Sequence, residues 1–328
     1  MGGYDFANRS HSEAWAWCWL ASITFVTGLY LVPARLRRLP RSDPSQIRAR
    51  LAAVSCITCV TVLVTRILAR PVEDGLPLRR WIGVGTNRLG PALVLPVLLT
   101  CCLFLGPLVT MVCLSHKLAQ NEVTQYGLFR RRVNPLPWHV VARGELANKA
   151  NLSGGAYGAI RNLAVGPVAE EVVFRGCFVP VLLGAGVSRA KIIWLSPLLF
   201  GLAHLHHAAE WLRQGHAVRT VVAGVLFQMV YTSIFGAFAV FVQLRTGHLA
   251  SSILIHVLCN FMGVPDITFS IAPGNPREST RTSVLYEHRA GLWCCYGIGI
   301  GLFFGLLRPL TAPSLYNSVL WSPEVLHS

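Results

Sequence analysis

The chain has 328 residues, of which 53% are hydrophobic and 13% charged, and it carries a net charge of +15. Globular domains contain about 25% charged residues, so this composition excludes an ordinary soluble protein. The basic residues lie mainly in loops between apolar segments, as the positive-inside rule predicts. This placement argues against a nucleic-acid partner and for a membrane protein.

The apolar segments follow one another along the chain, each close to the ~20 residues that cross a bilayer. Stretches such as "PALVLPVLLTCCLFLGPLVTMVCL" are apolar on every face, unlike the amphipathic helices of soluble proteins. We therefore predict an all-α, polytopic membrane protein with about eight transmembrane helices. The predicted spans are 14–33, 51–69, 91–114, 160–183, 191–207, 218–243, 247–263 and 291–308.

Three regions follow from this order. Residues 1–150 hold the N-terminal transmembrane helices and basic loops, including the arginine-rich loop 34–50 and most of the basic loop 115–157. Residues 151–310 hold the motifs described below, and 311–328 form a C-terminal tail. If the N-terminus faces away from the cytosol, most of the basic residues in loops face the cytosol.

The first polar cluster inside a predicted span is Glu170-Glu171-x-x-x-Arg175. Glu171 and Arg175 are four residues apart on a helix and can form an ion pair. Glu170 lies about 100° further round and has no local cation. One interpretation is a structural ion pair beside a protonated carboxyl group. An unpaired buried acid is costly, however, so we favour a general base at Glu170.

Two further patterns place histidines in later spans: Phe200-x-x-x-His204 and His256-x-x-x-Asn260. His256 and Asn260 share one helix face, and they could equally be polar groups that satisfy each other or a neighbouring helix. We interpret the next two histidines, His206 and His207, as residues of the membrane interface.

The order of the spans brings these polar residues to one depth. If the fourth span enters from the cytosol, Glu170 lies about 15 Å along it at 1.5 Å per residue. His204 ends a span that runs back toward the cytosol, and His256 and Asn260 lie in another such span. An acid, two imidazoles and a carboxamide in one layer predict a hydrolytic site.

The three motifs in this order resemble those of the type II CAAX prenyl endopeptidase (Ras-converting enzyme) family, in the CPBP/ABI superfamily of intramembrane proteases. The similarity extends over about 160–265, including "YTSIFG" and "CNFMGVP". The resemblance implies an intramembrane catalytic cavity and removal of the last three residues of prenylated CaaX proteins, such as Ras-type GTPases. It also implies a location in the endoplasmic reticulum membrane, among membrane lipids, with the site open to the cytosol.

The resemblance further implies a role for each motif residue. Glu170 would activate water, His204 would orient it, and His256 with Asn260 would bind the oxyanion. Glu171 and Arg175 would support this geometry, and no cofactor would be needed. Three alternatives remain: a zinc metalloprotease with Glu170, His204 and His256 as ligands, a proton-coupled transporter, and a scaffold without catalytic activity.

Overall fold

The computed structural model describes residues 3–7, 9–73, 75–112, 155–265, 267–270 and 285–322. Most of the predicted basic loop 115–157 and the end of the C-terminal tail lie outside these residues, as does the side chain of His207. The division into three regions at residues 150 and 310 stays a prediction.

The first half of the described chain contains two short strands and six helices. In chain order these are β1 (Gly3–Asp5), α1 (His11–Gly28), α2 (Ala34–Arg37), α3 (Pro44–Leu68), β2 (Arg70–Val72), α4 (Leu78–Ile82), α5 (Leu89–Leu103) and α6 (Leu105–Val112). The strands β1 and β2 pair antiparallel, with Tyr4 opposite Pro71. This small sheet, which the sequence analysis did not predict, joins the N-terminus to the end of α3.

Polar residues cap the N-terminal ends of α1 and α3. In α1 the backbone N–H of Ser10 donates to Glu13 Oε2 at 2.8 Å, and the Glu13 N–H donates to the Ser10 hydroxyl. The Ser10 hydroxyl also donates to Glu13 Oε2 at 2.8 Å, and the two hydrogen bonds that the Glu13 carboxylate accepts from Ser10 lower its pKa. In α3 the carboxylate of Asp43 accepts from the N–H groups of Ser45 and Gln46. Such caps satisfy N–H groups that have no partner within the helix.

The second half begins with a long helix, α7, that contains two π-helical segments. Its successive parts are Gly155–Ile160, the π segment Arg161–Val165, Gly166–Glu171, the π segment Val172–Cys177 and Phe178–Gly184. The remaining helices are α8 (Arg189–Ala203), α9 (His206–Arg213), α10 (Val218–Thr246), α11 (Leu249–Met262), α12 (Arg289–Leu310) and α13 (Pro313–Tyr316). Single 3₁₀ turns occur at Thr268–Ser270 and Val319–Trp321.

The core lies around the second half of α7, where the stretch 173–183 is buried without interruption. Two glycines allow α10 to pack closely against this core and against α8. A Cβ atom on Gly201 of α8 would lie 3.0 Å from the Met229 carbonyl oxygen, and one on Gly236 of α10 would lie 2.7 Å from Cβ of Pro197. Small residues at helix contacts are typical of membrane bundles.

Among the described residues, three helices are long and apolar enough to cross a membrane: α3, α10 and α12. A fourth span results if α5 and α6, which are bent by 75° at their junction, are counted together. Large apolar side chains point outward on these and other helices, as expected of a lipid-facing surface. The all-α membrane class is confirmed, whereas the count of about eight spans is not. The predicted spans at α8 and α11 are helices of only 15 and 14 residues.

Candidate active site

A cavity of about 410 Å³ lies between α1, α3, α7, α8 and α11. Ligand sites typically have volumes of about 300–1,000 Å³. Helix α1, the residue that follows it and helix α3 contribute mostly apolar side chains to its wall: Phe25, Val26, Leu29, Leu51 and Val54. Three polar residues predicted to form the site also line it: Glu170, His204 and Asn260. The cavity therefore combines an apolar wall with groups that can act on a polar bond.

The neighbouring acids Glu170 and Glu171 lie in different surroundings. The Glu170 side chain is 27% exposed and lines the cavity, whereas that of Glu171 is fully buried. They lie at the end of the α-helical part Gly166–Glu171, between the two π segments of α7. π-helical turns occur frequently at functional sites. Glu170 can therefore meet a substrate, while Glu171 can act only through other residues.

His256 of α11 contacts both acids, although it does not itself line the cavity. Its Nδ1 lies 2.7 Å from Glu171 Oε1, and its Nε2 lies 3.6 Å from Glu170 Oε2. An ionised carboxylate only accepts hydrogen bonds, so the Nδ1–H of His256 donates to Glu171. Its Nε2, the other ring nitrogen, is the one nearer to Glu170.

Arg175 holds Glu171 in place through an ion pair. Its Nη1 lies 3.1 Å from Glu171 Oε1, and both side chains are buried. This is the ion pair that the sequence spacing predicts. The guanidinium group also lies 4.6 Å from the ring centroid of Phe200 and 5.7 Å from that of Phe235. Cation–π contacts of this kind stabilise a desolvated arginine.

His204 follows directly after α8 and lines the same cavity as Glu170. Its Nδ1–H donates to the backbone carbonyl of Phe200 at 2.8 Å. In the neutral ring this leaves Nε2 as the acceptor nitrogen. The local hydrogen bond therefore fixes both the orientation of the imidazole and its tautomer.

Asn260 lies one turn of α11 beyond His256. Its Nδ2 donates to the backbone carbonyl of Asn162 at 3.0 Å, which connects α11 to the first π segment of α7. A carboxamide nitrogen carries two N–H groups, so a second donor remains on the same atom. The structure thus brings Asn260 to the cavity and fixes its side chain through one hydrogen bond.

Within the part of the chain that the structure describes, no group of three or more His, Cys, Asp or Glu side chains is placed to hold a metal ion. Glu170, His204 and His256, the ligands of the zinc alternative, do not form such a group.

The chain is similar to known proteins along most of its length. The profile of the family described as Type II CAAX prenyl endopeptidase Rce1-like matches residues 153–262, which include all three motifs. Human CAAX prenyl protease 2 is 32% identical over 317 residues, covering 92% of this chain and 84% of the human protein. The chain belongs to the type II CAAX prenyl endopeptidase family. The resemblance noted in the motifs is thereby confirmed.

Other members of the CAAX prenyl endopeptidase family show the same extent of similarity. The CAAX prenyl protease 2 of Arabidopsis thaliana is 33% identical over 322 residues, covering 95% of this chain and 94% of the plant protein. The Schizosaccharomyces pombe protein described as probable CAAX prenyl protease 2 is 32% identical over 260 residues, covering 78% and 82%. No solved structure shows a significant match. As a member of this family, the chain is a protease.

The cavity of this CAAX prenyl endopeptidase also contains residues that the sequence analysis missed. His206 lines it and donates its Nδ1–H to the Ala203 carbonyl at 2.7 Å, a role in the cavity that the sequence did not indicate. Its position at the membrane interface stays a prediction. Arg41, Arg50 and Arg161 line the cavity as well. The signal for Arg161 was its position inside a predicted span, where charged side chains usually mark function.

Proposed function

We propose that the chain is an intramembrane endopeptidase that removes the C-terminal tripeptide from farnesylated or geranylgeranylated CaaX proteins, such as Ras-type GTPases. One observation carries the proposal: Glu170 is a partly exposed acid on a cavity that it shares with His204, and its carboxylate lies 3.6 Å from His256. The names of the relatives, CAAX prenyl protease 2, support the substrate class.

In this proposal Glu170 is the general base. Its carboxylate takes a proton from a water molecule while the water oxygen attacks the carbonyl carbon of the prenylated cysteine. His204 orients the same water through its Nε2, which is the acceptor nitrogen because Nδ1–H is bonded to Phe200. A positioned base typically contributes about 10²–10⁴ to the rate.

The attack places a negative charge on the former carbonyl oxygen. We assign the stabilisation of this oxyanion to the carboxamide N–H of Asn260 and to Nε2 of His256 when that ring is doubly protonated. Glu171 orients this ring, because its carboxylate accepts the Nδ1–H at 2.7 Å. Preorganised donors of this kind are often the largest contribution to acyl transfer.

Collapse of the intermediate breaks the bond between the cysteine carbonyl carbon and the following nitrogen. The proton that Glu170 accepted goes to this leaving nitrogen, directly or through Nε2 of His256 at 3.6 Å. The products are a prenylated cysteine carboxylate and a free tripeptide. Glu170 is then ionised again, and no protein nucleophile and no cofactor take part.

The apolar wall of the cavity accounts for a lipidated substrate. Phe25 and Val54 lie on helices α1 and α3, and Leu29 directly follows α1. Burial of a prenyl chain against them would be favourable by about 0.8 kcal/mol per CH₂ group. A protease placed among membrane lipids can receive such a chain from the bilayer. A location in the endoplasmic reticulum membrane, with the cavity open to the cytosol, is part of this proposal.

The direct test is cleavage of a farnesylated CaaX peptide by the purified chain, with the released fragment identified by mass. The chain should release the tripeptide, and its Glu170→Gln variant should be at least about 100-fold slower. Glu73→Gln is a matched control, because this glutamate is not among the described residues of the cavity wall. If neither the chain nor the variant released the tripeptide, the substrate assignment would be refuted.

A further inference from the structure

Three arginines line the cavity that contains Glu170: Arg41 before α3, Arg50 on α3 and Arg161 on α7. Glu170 is the one acidic residue among the described residues of this wall. The two acids nearest to this wall form their ion pairs with other residues: Glu170 with His256, and Glu171 with His256 and Arg175. Neither Arg50 nor Arg161 is therefore neutralised by a described acid.

Hydrogen bonds hold two of these arginines together. Arg161 donates its Nε–H to Asn162 Oδ1 at 2.9 Å and an Nη1–H to the backbone carbonyl of Arg41 at 3.1 Å. The Nε of Arg50 is buried and makes no hydrogen bond to any described residue. A buried donor without a partner destabilises the protein, and a bound acceptor would offset that cost.

The positive surface continues beyond this cavity. Arg41 and Arg50 also line a second cavity of about 690 Å³, together with Arg37, Arg38 and Arg213. The described residues of its wall include no acid. The two cavities thus share a wall that attracts anions and that ends at the proposed catalytic residues.

The distance between Arg161 and Glu170 along α7 matches the combined length of an extended tripeptide and an arginine side chain. The two residues are nine positions apart on α7, which corresponds to at most about 13.5 Å at the α-helical rise of 1.5 Å per residue, because the π segment Arg161–Val165 rises less. Three extended residues reach about 10 Å, and an arginine side chain covers the remaining distance. A peptide whose scissile bond lies at Glu170 would therefore place its third following residue near Arg50 and Arg161.

We propose that Arg50 and Arg161 bind the free C-terminal carboxylate of the substrate, with Arg41 adding to the local positive charge. A guanidinium group and a carboxylate form charge-assisted and often bidentate hydrogen bonds. This contact sets the register, so that the bond presented to Glu170 lies three residues from the chain end. This inference rests on the proposed function. It adds that the C-terminal carboxylate of the substrate determines which bond is cleaved.

The test compares two farnesylated CaaX peptides that differ only at the C-terminus, one a free acid and the other an amide. The purified chain should cleave the acid about 10- to 100-fold more efficiently in kcat/KM, as expected for loss of a charged hydrogen bond. In the Arg50→Gln variant, kcat/KM for the free-acid peptide should fall toward the value for the amide peptide. The kcat/KM for the amide peptide should change little. The acid-to-amide ratio should therefore approach one.

Arg48→Gln is the matched control. Arg48 lies on the same helix, but it is exposed and its guanidinium lies over the ring of Tyr157 at 5.6 Å. This variant loses the same charge and should keep the full acid-to-amide ratio. Arg50→Lys retains the charge but lacks the planar guanidinium group that can form two parallel hydrogen bonds to a carboxylate. This variant should give an intermediate acid-to-amide ratio.

The outcomes separate the two proposals. Equal cleavage of acid and amide by the unmodified chain overturns the carboxylate site and leaves the proposed function intact, and this comparison needs no variant to fold. An Arg50→Gln variant that slows both peptides by the same factor overturns the site as well. Cleavage of neither peptide by the unmodified chain overturns the proposed function, and the carboxylate site with it.

Discussion

Nδ1 of His256 lies 2.7 Å from Oε1 of Glu171, across 85 positions of sequence. This hydrogen bond determines which ring nitrogen lies nearer to Glu170, because the donating Nδ1 leaves Nε2 at 3.6 Å from the Glu170 carboxylate. Two adjacent acids thus have separate tasks in the account proposed here. Glu170 acts on water, and Glu171 orients the imidazole beside it.

The first prediction concerns the different roles of the two acids in stability. Glu171→Gln leaves Arg175 as an uncompensated buried charge, which typically costs about 3–5 kcal/mol. The thermal midpoint in detergent should therefore fall by about 5 °C or more. Glu170→Gln, at a partly exposed side chain, should change the midpoint by less than about 2 °C. Equal midpoints for the two variants would show that Glu171 has no supporting role.

The second prediction concerns close packing beside the ion pair. A Cβ atom on Gly236 would lie 2.7 Å from Pro197 Cβ and 3.1 Å from Nη2 of Arg175. Gly236→Ala should therefore cost about 1–3 kcal/mol and reduce activity by displacing Arg175. Gly297→Ala on α12 is the control, since no described atom lies within 4 Å of its added Cβ. That variant should be neutral or slightly stabilising in the same thermal scan.

The third prediction concerns the donors of Asn260. Asn260→Asp keeps the shape of the side chain but replaces the N–H groups with an acceptor, which also faces the Asn162 carbonyl. Loss of an oxyanion donor lowers kcat by about 10²–10³, and KM should change much less. A kinetic series with Asn260→Ala separates the two effects, because alanine removes the donors without adding charge. Full kcat in both variants would exclude an oxyanion role for Asn260.

The fourth prediction concerns metal removal. The proposed mechanism transfers protons between Glu170, water and His256, so dialysis against a strong zinc chelator should leave kcat unchanged. A zinc protease treated in parallel serves as the positive control. Loss of activity that returns on addition of zinc would instead favour the metalloprotease alternative, with Glu170, His204 and His256 as ligands.

Local periodicity predicts the contacts that lie within one helix and misses those between helices. The Glu171–Arg175 ion pair follows from a spacing of four residues, and the structure contains it. The contact of His256 with Glu171 depends on how α11 packs against α7, which no local pattern encodes. The π segments of α7 are equally hidden, because hydropathy does not distinguish a π turn from an α turn.

The arginines that line the cavity show a second limit of prediction from the sequence. The loop 34–50 was interpreted through the positive-inside rule, which explains basic residues by their side of the membrane and assigns them no partner. In the structure the backbone carbonyl of Arg41 accepts a hydrogen bond from Arg161, so this loop closes over the start of α7. The span count is subject to a similar limit, since α8 and α11 are shorter than a full crossing.

The most direct test of the central claim follows the attacking water itself. A farnesylated CaaX peptide is cleaved in water enriched in oxygen-18, and the shortened peptide is analysed by mass spectrometry. We predict one labelled oxygen in the new cysteine carboxylate with the unmodified chain, and almost no product in the same time with Glu170→Gln. Labelled product formed by Glu170→Gln at the rate of the unmodified chain would contradict the assignment of Glu170 as the base.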